Sequence, residues 1–289
     1  MATRFNTDAT EIQIRYTVGS GSLAMPHMPA TGVSGVDFYA LDTDKKWKWV
    51  QVTKPAKGTE IIGKISGIDP GMRAWMAYLP LYNSTVKIEI GVKEGTKFQG
   101  IAPRNEGSLL FYGTSITHGA CASRPGMAHP AILGRRLDRP VVNLGFSGNG
   151  KMEPEVGALM SELDPAVYII DCLPNMNGDE VAQRTEPLVK QLREARPDTP
   201  IILVEDRTYT NSWIHRSMRE RHAASRSSLI RAYDNLVSSG VKNLYYLKGE
   251  DLLGDDTEGA TDGSHPNDLG FMRQADKFEP VIRKALGIK

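Results

Sequence analysis

Through the first hundred residues apolar and polar side chains alternate with period two. Ile12, Ile14, Tyr16 and Val18 are separated by polar neighbours, and Val86, Ile88, Ile90 and Val92 repeat the pattern. Such alternation puts one face of an extended strand on a core and the other in water. Between these stretches lie further strand-like runs, VDFYALD, WKWVQV, EIIGKISGI and RAWMAYLPLY, punctuated by Gly, Pro, Asp and Lys. No stretch in this region has convincing helical spacing. At least six strands in this span predict a smaller all-β sandwich, jelly-roll-like, over residues 1–105.

From about residue 107 the rhythm becomes strand then helix. The apolar runs SLLFYG, PVVNLG, AVYIIDCL, PIILVED and NLYYLKG alternate with helical segments near 127–137, 154–163, 178–195, 212–239 and 268–287. Strands separated by helices run parallel, so residues 106–289 are predicted to form a three-layer α/β/α domain on a five-stranded parallel sheet. IAPRNEGS, at 101–108, reads as the junction. Chemistry in such sheets gathers at the C-terminal strand ends. Ser115, Ser147 to Gly150, Asn175 and Asp206 all fall there.

Composition narrows the partners. The 289 residues are 40% hydrophobic and 24% charged, with a formal net charge of +1 and no charge block at either end. Nothing points to nucleic acid or to an acidic membrane surface, and a small neutral substrate fits best. No run approaches the roughly 18 apolar residues of a membrane span, and MATRFNTDATEIQ lacks the apolar core of a leader. The expectation is a soluble chain without membrane insertion, cytoplasmic as written or a secreted or periplasmic mature form. Cys121 and Cys172 are too few for a disulfide framework or a thiolate zinc site and are expected as buried small side chains, with a bridge between them left open. No His, Cys or carboxylate trio has ligand spacing, so neither metal nor other cofactor is expected. Self-association into a homo-oligomer is left open.

The candidate chemistry begins at Ser115, where the run Leu109 to Thr114 breaks into a loop. A serine hydroxyl attacks a carbonyl only if a base takes its proton, and an imidazole does so only when its tautomer and orientation are fixed. Asp262 and His265, three residues apart near the other end of the chain, supply those parts. The blocks Gly113-Thr114-Ser115-Ile116-Thr117, Asn143-Leu144-Gly145-Phe146-Ser147-Gly148, Leu173-Pro174-Asn175-Met176 and Asp262-Gly263-Ser264-His265 resemble, in order, those of the SGNH or GDSL-type esterases and lipases. The resemblance covers roughly residues 108–287. Thr114 replaces the usual Asp of the first block, and Pro174 and Met176 flank Asn175 where Gly-x-Asn-Asp is usual.

The resemblance implies a carboxylic ester hydrolase in which Ser115 is the nucleophile, His265 the base and Asp262 its orienting carboxylate. It also implies an oxyanion hole made by the N–H groups of Ser115 and Gly148 and the side-chain amide of Asn175. The preferred substrate by analogy is a short acyl group, acetyl above all, on a carbohydrate or other small polar molecule. The rival is a non-catalytic carbohydrate-binding protein that uses the hydrolase fold as a scaffold.

Other motifs compete with these. Gly145 to Lys151 has P-loop spacing, but Met152 stands where the magnesium-binding hydroxyl belongs. Ser147 misses the Gly-x-Ser-x-Gly elbow because Asn149 occupies a glycine position. His118, Arg124, Asp206 and Arg207 are candidate substrate contacts, with a solvated loop histidine and surface ion pairs as their plainer readings. Trp47 and Trp49 share a strand face, where core packing is expected ahead of sugar stacking. The segment TYTNSWIHRSMRERHAASR, which carries His215 and His222, reads as a solvated helix face.

Overall fold

A computed structural model describes residues 1–104 and 106–288. It divides into two compact units, Met1–Asn105 with Cys121–Met127, and Glu106–Ala120 with Ala128–Lys289. The junction expected at 101–108 includes Asn105, which lies outside the described residues.

The first unit holds two antiparallel sheets. One has the order β4 (Trp47–Val52), β3 (Asp37–Leu41), β6 (Arg73–Tyr78), β1 (Ala2–Thr7), β8 (Phe98–Gly100). The other is β5 (Glu60–Ser66), β2 (Glu11–Val18), β7 (Thr85–Val92). The alternation at 12, 14, 16 and 18 is realised directly, since all four side chains are buried in a core shared with Phe5, Phe38, Ile61, Ile65 and Trp75. Tyr16 is buried there with its hydroxyl 2.8 Å from the Ser34 carbonyl and 2.7 Å from the Thr53 hydroxyl. Burial pushes its phenol up to about 12, against the opposing hydrogen bond from Thr53. The short helix α1 (Ala30–Val33) lies where only strands were expected.

Residues 121–127 belong to this unit through specific bonds. The Thr31 hydroxyl donates to the Ser123 carbonyl at 2.6 Å, and the Gly126 N–H donates to Asp37 at 2.8 Å. Trp47 and Trp49 do not join the core. A register shift between Phe38 and Tyr39 interrupts the β3–β4 ladder, and Trp49 is left 51% exposed with its indole N–H on Asp37. Core packing expected for the pair is thus replaced by contacts with cations, Arg4 over Trp47 and Arg124 over Trp49.

The second unit carries a parallel sheet ordered β10 (Val141–Gly145), β9 (Leu109–Gly113), β11 (Val167–Asp171), β12 (Ile201–Val204), β13 (Leu244–Leu247). Helices α3 (His129–Arg136) and α7 (Asp268–Leu286) pack together, while α4 (Pro154–Ser161), α5 (Gly178–Ala195) and α6 (Arg216–Ser238) form a contiguous row. The row covers a core of Leu110, Tyr112, Tyr168, Ile170, Leu188, Val189 and Leu203. The result is the expected three-layer α/β/α sandwich. Its strand order reverses at β9: the chain goes first to β10 on one side and next to β11 on the other. Loops leaving β9, β10 and β11 therefore part at one crevice, where open parallel sheets bind ligands.

Candidate active site

Strand β9 is buried along its whole length and breaks at Gly113 into the single turn α2 (Ser115–His118). Thr114 caps this turn by accepting the Ile116 N–H at 3.2 Å. A hydroxyl thus does there what the more usual aspartate carboxylate would do. Gly113 is required by space: a Cβ would stand 2.1 Å from Thr117 Oγ1 and 2.7 Å from the Asp171 carbonyl. Gly119, with φ 113°, ends the turn in a conformation that suits glycine. Ser115 is buried yet keeps 8% of its surface exposed, at the crevice between the β10 and β11 loops.

His265 reaches this serine. Its Nε2 lies 2.9 Å from Ser115 Oγ, and its Nδ1 lies 2.7 Å from Asp262 Oδ2. A carboxylate only accepts, so Nδ1 carries the proton and the Nε2 lone pair faces the serine hydroxyl. Both ring nitrogens are thus engaged in hydrogen bonds.

The turn bearing both residues is tightly closed. Asp262 Oδ1 accepts the N–H groups of Ser264 at 3.1 Å and His265 at 2.8 Å. The Thr261 N–H returns to the His265 carbonyl, Thr210 donates its N–H to the Gly263 carbonyl at 2.9 Å, and Asn267 caps α7 just beyond. Burial works to raise the Asp262 carboxyl, but the bonds from the His265 N–H, the His265 ring and the Ser264 N–H prevail and hold it below the ordinary carboxylate range.

The β10 loop is fixed beside the nucleophile turn. Phe146 donates its N–H to the Gly113 carbonyl at 2.9 Å. Gly150, at φ 70°, packs so closely that a Cβ would stand 2.0 Å from the same carbonyl. Gly148, at φ 73°, faces open space. Asn175 closes the short turn after β11 and donates its side-chain amide to the Asn149 carbonyl, so that it is joined to the glycine loop. The amide has a second N–H. Asn177 and Glu180 form a capping box at the start of α5, which fixes the backbone just past Asn175. Lys151, the residue that gave this loop its P-loop spacing, pairs with Glu180 at 3.6 Å.

The remaining candidates have contacts of their own. His118 is half-buried, with its backbone against Gly145, where a Cβ would meet His118 N at 2.2 Å. Arg124 belongs to the first unit, where its guanidinium is 2.9 Å from buried Asp37 and stacks over Trp49. Asp206 and Arg207, expected at the substrate or in surface ion pairs, are fully buried. Asp206 takes Arg221 at 2.6 Å and Arg207 takes Asp171 at 2.6 Å. The pairing is as expected but its location is not, because the chain past β12 turns inward under α6. His222 is buried in the same place, so the basic segment is not wholly a solvated face. Cys121 and Cys172 are buried thiols with no bridge.

Residues 106–283 match the GDSL-like Lipase/Acylhydrolase family, and residues 1–98 match the N-terminus of Esterase_SGNH_hydro-type. A protein assigned as a GDSL-like lipase from Bacteroides ovatus has 35% identity and a TM-score of 0.94, over 100% of this chain and 85% of that one. The salicylyl-acyltransferase SsfX3 of a tetracycline biosynthetic pathway shares the fold at 19% identity and TM-score 0.80, over 99% of this chain and 82% of that one. A family two carbohydrate esterase from Clostridium thermocellum, solved with cellohexaose, shares it at 16% identity and TM-score 0.69, over 99% and 92%. No curated protein matches the sequence. Among the described residues no helix is long and apolar enough to cross a membrane. The chain belongs to the GDSL-like lipase/acylhydrolase family of serine hydrolases.

Proposed function

We propose that the protein hydrolyses short-chain acyl esters of a carbohydrate or other small polar alcohol through an acyl-enzyme on Ser115. The observation that carries this reading is the hydrogen-bonded series Ser115 Oγ, His265 Nε2 and Nδ1, Asp262 Oδ2, at 2.9 and 2.7 Å. In the first half-reaction His265 takes the Ser115 proton as Oγ bonds to the ester carbon. The carbonyl oxygen then carries the negative charge. The N–H groups of Ser115 and Gly148 and the second amide N–H of Asn175 are the donors for it, each worth about 3–4 kcal/mol of barrier. His265 passes its proton to the departing alcohol, and the acyl group stays on Ser115. Water repeats the sequence, with His265 again base and then acid, and releases the acid.

The acyl and alcohol preferences rest on lighter support. The likeness to carbohydrate esterases is one of fold, and it favours a sugar alcohol and a small acyl group. One observation favours a second reading, a longer acyl chain. Trp213 and Ile214, 70% and 61% exposed, follow Thr210 on the loop bonded to Gly263 of the histidine turn.

p-Nitrophenyl acetate turnover by the wild type and Ser115→Ala tests the mechanism: loss of turnover in the variant supports it, and equal rates would remove it in favour of a binding role. A series from acetate to octanoate separates the two acyl readings. An optimum at acetate supports the first, and one at octanoate assigns the second.

A further inference from the structure

Strand β11 is an unbroken buried run, Val167 to Asp171, with one charged residue in it, Asp171. Asp171 lies opposite Gly113 in the parallel register, so its side chain emerges beside the nucleophile turn. Oδ2 accepts the Thr117 hydroxyl at 3.1 Å, and Oδ1 accepts Arg207 Nη2 at 2.6 Å. Thr117, Asp171 and Arg207 all have 0% exposure. His129 Nε2 faces the same carboxylate at 3.9 Å.

A buried ion pair adds little net stability compared with apolar packing of the same volume. Stability therefore does not account for placing one here. Its position does, because Thr117 is two residues past Ser115 on a turn of only four residues. The Thr117 carbonyl is held separately by the Asn143 side-chain amide at 2.8 Å. The turn is thus gripped from β10 through Asn143 and from β11 through Asp171, and Arg207, just past β12, fixes the carboxylate. Gly113 completes the arrangement, since a side chain there would occupy the place of the Thr117 hydroxyl.

We propose that Asp171, charge-balanced by Arg207, is a positioning residue that holds Ser115 in register with His265 through the Thr117 hydroxyl. It touches no substrate. Its effect is on the Ser115 to His265 approach, where a misplacement of about 1 Å is able to cost on the order of 10²-fold in rate. The inference rests on Ser115 being the nucleophile.

The test is Thr117→Val, which keeps the volume and removes the hydroxyl, beside Thr117→Ser, which restores it. Steady-state p-nitrophenyl acetate kinetics, the rate of fluorophosphonate labelling and thermal melting are read on both. Expected for T117V is a fall in kcat of roughly tenfold to a hundredfold, KM within about twofold, and an equal fall in labelling rate. T117S is expected to recover to within a few-fold of wild type.

Wild-type kcat in T117V, a loss confined to KM, or a T117S variant as slow as T117V would each overturn the proposal. Asp171→Asn supplies a cycle: the double variant T117V/D171N is expected to be no slower than the slower single, and multiplied losses would count against a shared role. If D171N does not fold, the two Thr117 variants still decide. If T117V does not fold, T117S and the D171N labelling rate decide, the proposal requiring near-wild-type T117S and a slowed D171N. An inactive Ser115→Ala with an unimpaired T117V would defeat this inference alone, whereas an active Ser115→Ala would defeat the mechanism beneath it.

Discussion

Asp262 holds His265 twice: one carboxylate oxygen accepts its backbone N–H at 2.8 Å and the other accepts its ring Nδ1 at 2.7 Å. A spacing of three residues makes this possible, because a tight turn returns the chain over its own first side chain. The carboxylate thus fixes backbone position, ring orientation and tautomer together.

The first expectation concerns that carboxylate. Asp262→Asn keeps the shape but replaces an obligate acceptor with an amide that is able to favour the wrong tautomer, and kcat should fall by about 10³- to 10⁴-fold. The pH dependence of stability has a definite sign. The folded-state carboxyl lies below its unfolded value, so its stabilising contribution is present above the unfolded value, near 3.9, and fades as pH falls through the lower folded one. Denaturation of wild type and D262N from pH 3 to pH 7 should give a stability difference that is level above about pH 5 and shrinks below about pH 4.

Asn175→Ala removes the proposed oxyanion donor and the bond to the Asn149 carbonyl. A kcat loss of about 10²- to 10³-fold is expected with little change in KM. Kinetics on p-nitrophenyl acetate read this directly, and a change in KM alone would place Asn175 in substrate binding instead.

Two glycines in one loop should respond differently to alanine. Gly148 and Gly150 both have left-handed φ, but only at Gly150 would a Cβ strike backbone, the Gly113 carbonyl. Gly148→Ala should cost about 1 kcal/mol of stability, and Gly150→Ala at least about 2 kcal/mol. Chemical denaturation of both variants checks the order, which a loop governed by φ alone would not produce.

The strand-and-helix rhythm of the second unit was legible because its strands are short, mainly apolar runs that alternate with helical spacing, so each predicted element is present within a few residues. The candidate site was legible for a related reason: Ser115 follows a recognisable strand, as do the proposed Gly148 and Asn175, and Asp262 and His265 are only three residues apart, so that the structure's Ser115–His265–Asp262 series joins residues already singled out. What escaped notice has little periodic signal. Strand β1 turns one large apolar side chain, Phe5, to the core, and β8 has three exposed residues.

The burial of Asp206 and Arg207 has no local signal, because a charged pair after a strand reads as surface, and only the tertiary course under α6 buries it. The signal for Asp171 was present, a single charge within an apolar strand, where a carboxylate must have a partner. The grouping of residues 121–127 with the first unit depends on bonds such as Thr31 to Ser123, between residues 92 positions apart, which no local pattern encodes.

The first unit has its own buried charge pair. Asp37, fully buried, binds Arg124, the Trp49 indole and the Gly126 N–H. Burial raises its carboxyl, against the pull of Arg124. Asp37→Ala leaves three donors without their acceptor and should destabilise the unit by about 3–5 kcal/mol. Thermal denaturation should show an earlier unfolding step, and an unchanged profile would mean that residues 121–127 are held by other contacts.

The covalent intermediate on Ser115 is the most direct measurement. Fluorophosphonate or p-nitrophenyl acetate is reacted with the wild type, Ser115→Ala and His265→Ala, and the adduct is located by peptide mass spectrometry. The expected result is one adduct on the peptide containing Ser115, absent from Ser115→Ala and formed far more slowly in His265→Ala. An adduct on Ser147 or any other residue, or wild-type turnover by Ser115→Ala, would contradict the assignment of Ser115 as the nucleophile.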